Sequence, residues 1–186
     1  MQPVDRPILA ACLAVAFLAP AQAADFVSRY TQVNDRKACR YTETKASNEG
    51  PASCEYSCAG PVAGVRTRLL SCYDYEHLYV GVDGKWYSTW AAMTAVGGMS
   101  GLGNRKGVVE WAFSPGSAAS GRDQLAGLIV RFSGVDPDNR PKNALSVFSL
   151  QPGRVCWKGN FATNEAARAA LSAEDCKQEL KPEKAP

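Results

Sequence analysis

The chain carries one histidine, His77, and seven cysteines, and these two counts bound its chemistry. Mechanisms that need two histidines are excluded. A Ser-His-Asp arrangement would have to use His77. Asp74 and Glu76 are its closest carboxylates in sequence. Residues at odd offsets on a strand project from opposite faces, so neither can orient His77 locally. No GxSxG elbow is present, and Gly98-Met99-Ser100-Gly101 misses its spacing. Gly101 to Gly107 (GLGNRKG) lacks the GK[ST] ending of a phosphate loop and also misses GxGxxG. Carboxylates remain: Glu110, Asp123 and Asp136 fall at or near strand ends, and a cell-envelope hydrolase would need two such groups at a set separation. Glu110 alternates with Val109 and Trp111, which turns it to the solvent face, where Arg131 on a nearby strand is its expected partner. These residues give no catalytic assignment and imply no cofactor.

The cysteines read differently once the N-terminus is considered. Residues 1–24 run MQPVDRPILAACLAVAFLAPAQAA. Arg6 precedes an apolar run from Ile8 to Ala19, followed by Pro20 and Ala21-Gln22-Ala23. That pattern is a secretory signal peptide with cleavage expected after Ala23. Leu9-Ala10-Ala11-Cys12 has the look of a lipobox, but Cys12 sits near the start of the apolar run instead of after it. Cleavage removes Cys12 and leaves Cys39, Cys54, Cys58, Cys72, Cys156 and Cys176. An even number in an oxidising compartment predicts three disulfides. The simplest partition joins Cys156 to Cys176 and closes the other four among themselves, with their pairing open. Cys54 and Cys58 form a CxxxC that, with His77, could hold copper or cycle as a redox pair. Two structural bridges are the simpler reading, and no metal site is assigned.

The clearest surface candidate is HLYVGVDGKWYSTW. Asp83-Gly84 between alternating apolar residues predicts a two-residue hairpin turn. Pairing Val82 with Lys85 sets Gly81 opposite Trp86, Val80 opposite Tyr87, Tyr79 opposite Ser88 and His77 opposite Trp90. Tyr75, His77, Tyr79, Trp86, Ser88 and Trp90 then share one face. Exposed, that face could stack on sugar rings or anchor a protein. Large aromatics are mostly buried, so it is expected to be core, with Leu78, Val80 and Tyr87 turned to solvent or a second layer.

The elements that position these residues are mostly strands. Phe26–Val33, Val62–Leu70, Val108–Phe113, Leu125–Phe132, Ala144–Leu150 and Arg154–Phe161 join the hairpin. Residues 42–53, 114–123 and 134–143 read as loops, and 91–107 as a glycine-rich loop with a helical turn near 90–96. Thr163 or Asn164 caps a helix predicted over Glu165–Leu180, with Ala166, Ala170 and Leu171 on its buried stripe. Residues 181–186 (KPEKAP) should fray. The expected fold is mainly β: an antiparallel sandwich or half-barrel of about seven strands with one C-terminal α-helix. The domain plan is a signal peptide over 1–23, one disulfide-stapled domain over 24–180 and a frayed tail over 181–186. No segment after the signal could cross a membrane as a helix.

Several pieces resemble a family of small exported bacterial proteins without an assigned activity. They are Cys58-Ala59-Gly60-Pro61, the glycine-rich loop running into Val109-Glu110-Trp111, Ile129-Val130-Arg131-Phe132, and Cys156-Trp157-Lys158-Gly159 with Asn164, Ala167-Arg168 and Cys176. The resemblance implies export and the C-terminal bridge, and it carries no catalytic residue. Cys54 and Cys72 depart from it. A net charge of +3 in 186 residues gives no reason to expect a nucleic-acid partner. The function expected is a periplasmic or secreted, non-catalytic protein that binds an envelope protein or glycan. A carboxylate hydrolase and a copper or thiol-redox protein are the alternatives.

Overall fold

Large apolar side chains alternate at Val109, Trp111 and Phe113, and again at Leu128, Val130 and Phe132, and all six are buried. Their neighbours Ala112 and Ile129 point the other way and are buried too. This sheet is therefore covered on both faces, and its cover differs from one face to the other. A computed structural model describes residues 25–45, 52–72, 75–97, 101–102, 107–116, 121 and 124–184, without the side chains of Cys72 and Tyr75. The proposed signal peptide over 1–23 lies outside the described residues, as do Asp74, Asp123 and most of the GLGNRKG segment.

Among the described residues thirteen strands, numbered in chain order, form two antiparallel sheets. The first runs β1 (Val27–Gln32), β8 (Val108–Phe113), β9 (Leu125–Val135), β10 (Pro141–Gln151), β11 (Arg154–Phe161) and β12 (Gln178–Leu180), with β7 (Gly101–Leu102) also pairing to β9. The second runs β13 (Pro182–Glu183), β6 (Lys85–Ser88), β5 (Tyr75–Val82), β4 (Val65–Cys72), β3 (Ser53–Ala59) and β2 (Arg40–Thr44). Their inner faces meet in one apolar cluster. Trp111, Phe132, Phe148 and Trp157 from the first sheet pack with Leu69, Leu78, Val80 and Tyr87 from the second. The expected mainly β, antiparallel architecture is what the chain adopts, with more strands and one extra helix.

The differences have identifiable causes. Most of β2 and the first residue of β3 fall in the polar stretch 42–53 expected to be a loop. The edge strand β2 lacks apolar alternation and is held to β3 by cross-strand pairs, including Tyr41 and Tyr56 with ring centroids 4.8 Å apart. The short helix α1 (Trp90–Thr94) buries Ala92 and Met93. Asn160 Nδ2 donates to the Ala92 carbonyl at 2.9 Å, and Ser146 Oγ donates to Asn160 Oδ1 at 2.6 Å.

The C-terminal helix α2 (Asn164–Ser172) is shorter than expected. Thr163 caps it, accepting from the Ala166 N–H at 3.2 Å. Ala167 and Leu171 are its buried positions, while Ala166 is exposed. The chain then turns extended at Ala173. Lys158, itself buried, donates to the Ala173 carbonyl at 2.6 Å and to the Asp175 carbonyl. A cation there satisfies carbonyls that the helix leaves open. Cys176, bonded to Cys156, holds the next turn. The residues expected to continue the helix therefore become β12. Lys181 alone then separates β12 in one sheet from β13 in the other. Pro182 and Glu183, expected to fray, instead pair with Tyr87 and Trp86. This strap links the edge of one sheet to the edge of the other.

Candidate functional site

The hairpin has the predicted register. Asp83 and Gly84 take φ of 51° and 82°, and Val82, Gly81, Val80 and Tyr79 pair with Lys85, Trp86, Tyr87 and Ser88. Two consecutive positive φ values make the tight turn whose twist suits antiparallel strands. The faces are the reverse of the core assignment. Leu78, Val80 and Tyr87 are the buried face. His77, Tyr79, Trp86 and Ser88 form the outer face of the second sheet. The hairpin's other face is the one that meets the first sheet, and only one side of a strand can do so. Trp90 does not extend the ladder, because the chain enters α1 there. Its ring still lies 5.2 Å from that of His77. Tyr75 is in β5, and its side chain is outside the described residues.

The outer face divides into a covered part and an open part. Trp86 is only 5% exposed, although among the described residues no second layer lies over it. Arg66 and Arg68 do the covering, with guanidinium carbons 4.6 and 4.9 Å from its ring centroid. Gly81 sits between: a Cβ there would be 2.7 Å from Arg66 Cγ and 3.0 Å from the indole. Arg68 Nε lies 2.8 Å from Glu55 Oε1, which fixes the second guanidinium. Both stems shield the indole; Arg66 keeps its charge in water, and the Arg68 charge is met by Glu55.

The open part is a cleft of about 600 Å³. His77, Ser88, Trp90 and Ala91 form one wall, and Gln178, Glu179, Leu180, Lys181 and Glu183 of the strap form the other. Trp90 is 46% exposed at its rim. His77 Nε2 lies 2.8 Å from Ser88 Oγ, and Ser88 Oγ also accepts the Trp90 N–H at 3.2 Å. The imidazole stacks at 4.1 Å on Tyr79. Burial lowers the His77 pKa from 6.5 to about 4, so the ring is neutral at neutral pH. Glu179 is ion-paired to Arg154 at 2.8 Å.

A serine oxygen against a histidine nitrogen is half of a nucleophile–base pair. The other half is weak here. A base with a pKa of about 4 takes protons poorly at neutral pH. Among the described residues no carboxylate orients the ring. As expected, Glu76 points to the opposite face, where it accepts the Leu102 N–H at 2.6 Å. The arrangement is better suited to presenting a flat aromatic and several hydrogen-bonding groups.

The remaining candidates lie elsewhere. Glu110 is on the far sheet and does not pair with Arg131. Its Oε1 accepts from Ser28 Oγ at 2.6 Å and from Arg168 of α2 at 3.0 Å. The register sets Ile129 opposite Glu110, and the helix delivers a cation to the same face. Asp136 binds Arg140 in its own turn. Cys39 is bonded to Cys58 and Cys156 to Cys176, and Cys54 is also disulfide-bonded. Cys58 is in the core, on the face of the second sheet opposite His77. The Cys54, Cys58 and His77 copper site is therefore not assembled.

Sequence reasoning found one wall of the cleft and missed the other. The strap residues were hidden inside a predicted helix and tail. Pro182, a poor helix continuer, and the constraint of a Cys156–Cys176 bridge were the signals that could have exposed them. Comparison of the chain with protein-family models, curated proteins and solved structures finds no match.

Proposed function

We propose that this is an exported, non-catalytic binding protein of the bacterial envelope, which engages a protein or glycan partner through the cleft at Trp90. The observation that carries the reading is the juxtaposition of an exposed indole with the polar groups of His77, Ser88 and the strap. Half-exposed tryptophan beside a concave wall is characteristic surface for recognition. The signal-like N-terminus and the disulfides support an oxidising destination, periplasmic or extracellular. The half-buried, weakly basic His77, the engagement of Glu110 by Arg168 and the bonded cysteines favour binding over hydrolysis or redox chemistry.

Two measurements test this. Expression of the full chain in a bacterial host should yield a periplasmic or secreted product that begins at Ala24 and has no titratable thiol. An uncleaved cytosolic product with reduced cysteines overturns export. Hydrogen exchange of that product with soluble and insoluble envelope fractions should show protection at 88–91 and 178–183. Protection confined to other segments, or none, overturns the assignment of the cleft.

A further inference from the structure

We infer that the cleft takes a neutral saccharide, with one pyranose ring stacked on Trp90; this deepens the binding reading above and rests on it. The first reason is shape. An indole open at the rim of a concavity offers a flat apolar face, the counterpart of the C–H face of a sugar ring. The volume of about 600 Å³ is in the size class of small-ligand sites. It is a pocket for a chain of rings, not the broad plane that a protein interface needs. Trp86, the other large aromatic nearby, is roofed by Arg66 and Arg68 and adds no apolar area.

The second reason is the chemistry of the walls. Gln178 can both donate and accept, while Ser88 Oγ and His77 Nε2 bond each other and leave one further position on each side chain, a donor on one and an acceptor on the other. Sugar hydroxyls also do both, so a mixed lining matches a polyol better than it matches an ion. The third reason is charge. Glu179 is already neutralised by Arg154, and Lys181 and Glu183 are of opposite sign. No net field is left to select a phosphate, a nucleotide or an acidic polymer. An uncharged glycan is the partner class with nothing to lose there.

The test uses the purified product of the full chain and three neutral probes: the trisaccharides of β-1,4-linked N-acetylglucosamine, β-1,4-linked glucose and α-1,4-linked glucose. Each is titrated while the four indole N–H signals are followed by NMR. At least one probe should shift the Trp90 indole saturably. Trp90→Ala should weaken that binding at least tenfold, Gln178→Ala by a few-fold, and Tyr30→Ala not at all. Tyr30 is the matched control, since it is 63% exposed on the other sheet's edge. If no probe moves the Trp90 signal, the saccharide inference is overturned. The hydrogen-exchange result then separates the two claims. Cleft protection by envelope fractions without sugar binding leaves a protein partner, whereas loss of both removes the binding reading itself. Sugar binding that survives both Trp90→Ala and Gln178→Ala also overturns the inference.

Discussion

The two outer faces of the sandwich are covered in different ways. On the first sheet, α2 lays Ala167 and Leu171 over Ala112, Ile129, Leu145 and Val147. On the second, among the described residues no helix arrives, and the sheet roofs its own Trp86 with Arg66 and Arg68. On the helix-covered face the cover is an apolar cluster. On the other face the cover is two guanidinium groups, with the cleft on the same face. The difference is in the cover: a helix on one face, and on the other the side chains of the sheet itself beside the cleft proposed for recognition.

The comparison is most easily broken at Gly127. A Cβ there would overlap the Phe148 carbonyl and sit 2.6 Å from Leu171 Cδ2. Gly127→Ala should destabilise by about 3 kcal/mol or more, because backbone and helix must both shift. Urea unfolding measures it. A near-neutral result would mean that α2 is a loose cover, and the two faces would then be alike.

His77 gives the next effect, on the outer face of the second sheet. Its folded pKa of about 4 lies below the ordinary 6.5. Between those values the unfolded chain binds a proton that the folded chain refuses. Stability from this group is therefore complete above pH 6.5 and is lost as pH falls towards 4. The ring is only partly buried, so the loss should be about 1–2 kcal/mol after solvent screening. Midpoints for the wild type and His77→Phe at pH 7 and pH 4.5 check it, the variant lacking this share of the acid sensitivity. Equal sensitivity in both would place the ring in water.

Arg66 should give the smallest change. It is exposed, and its stack on Trp86 is worth about 0.5–1 kcal/mol. Arg66→Ala should cost no more than that while shifting tryptophan emission to the red. A large destabilisation would show that this face too depends on packing for its stability.

The hairpin and the core between the sheets were more legible than the strap. Alternation of Val109, Trp111 and Phe113 reads directly as a strand because one face of a sheet must be apolar. Asp83-Gly84 reads as a turn because few residues accept its φ values. The partner of Glu110 was not legible, since Arg168 lies 58 residues away in sequence. Nor was the cover of Trp86, which depends on strand neighbours instead of on composition.

The sequence by itself determined the β character, the hairpin register and which hairpin residues share a face. These follow from nearest-neighbour sterics and period-two geometry, which are local. Only the tertiary structure decided which of those two faces meets the other sheet. It also decided that α2 ends at Ser172 and that 178–183 becomes a strap walling the cleft. Those outcomes depend on contacts between residues far apart in the chain: a lysine under a helix end, a disulfide, and two sheet edges within reach of one short segment. No local pattern encodes a distance across the fold.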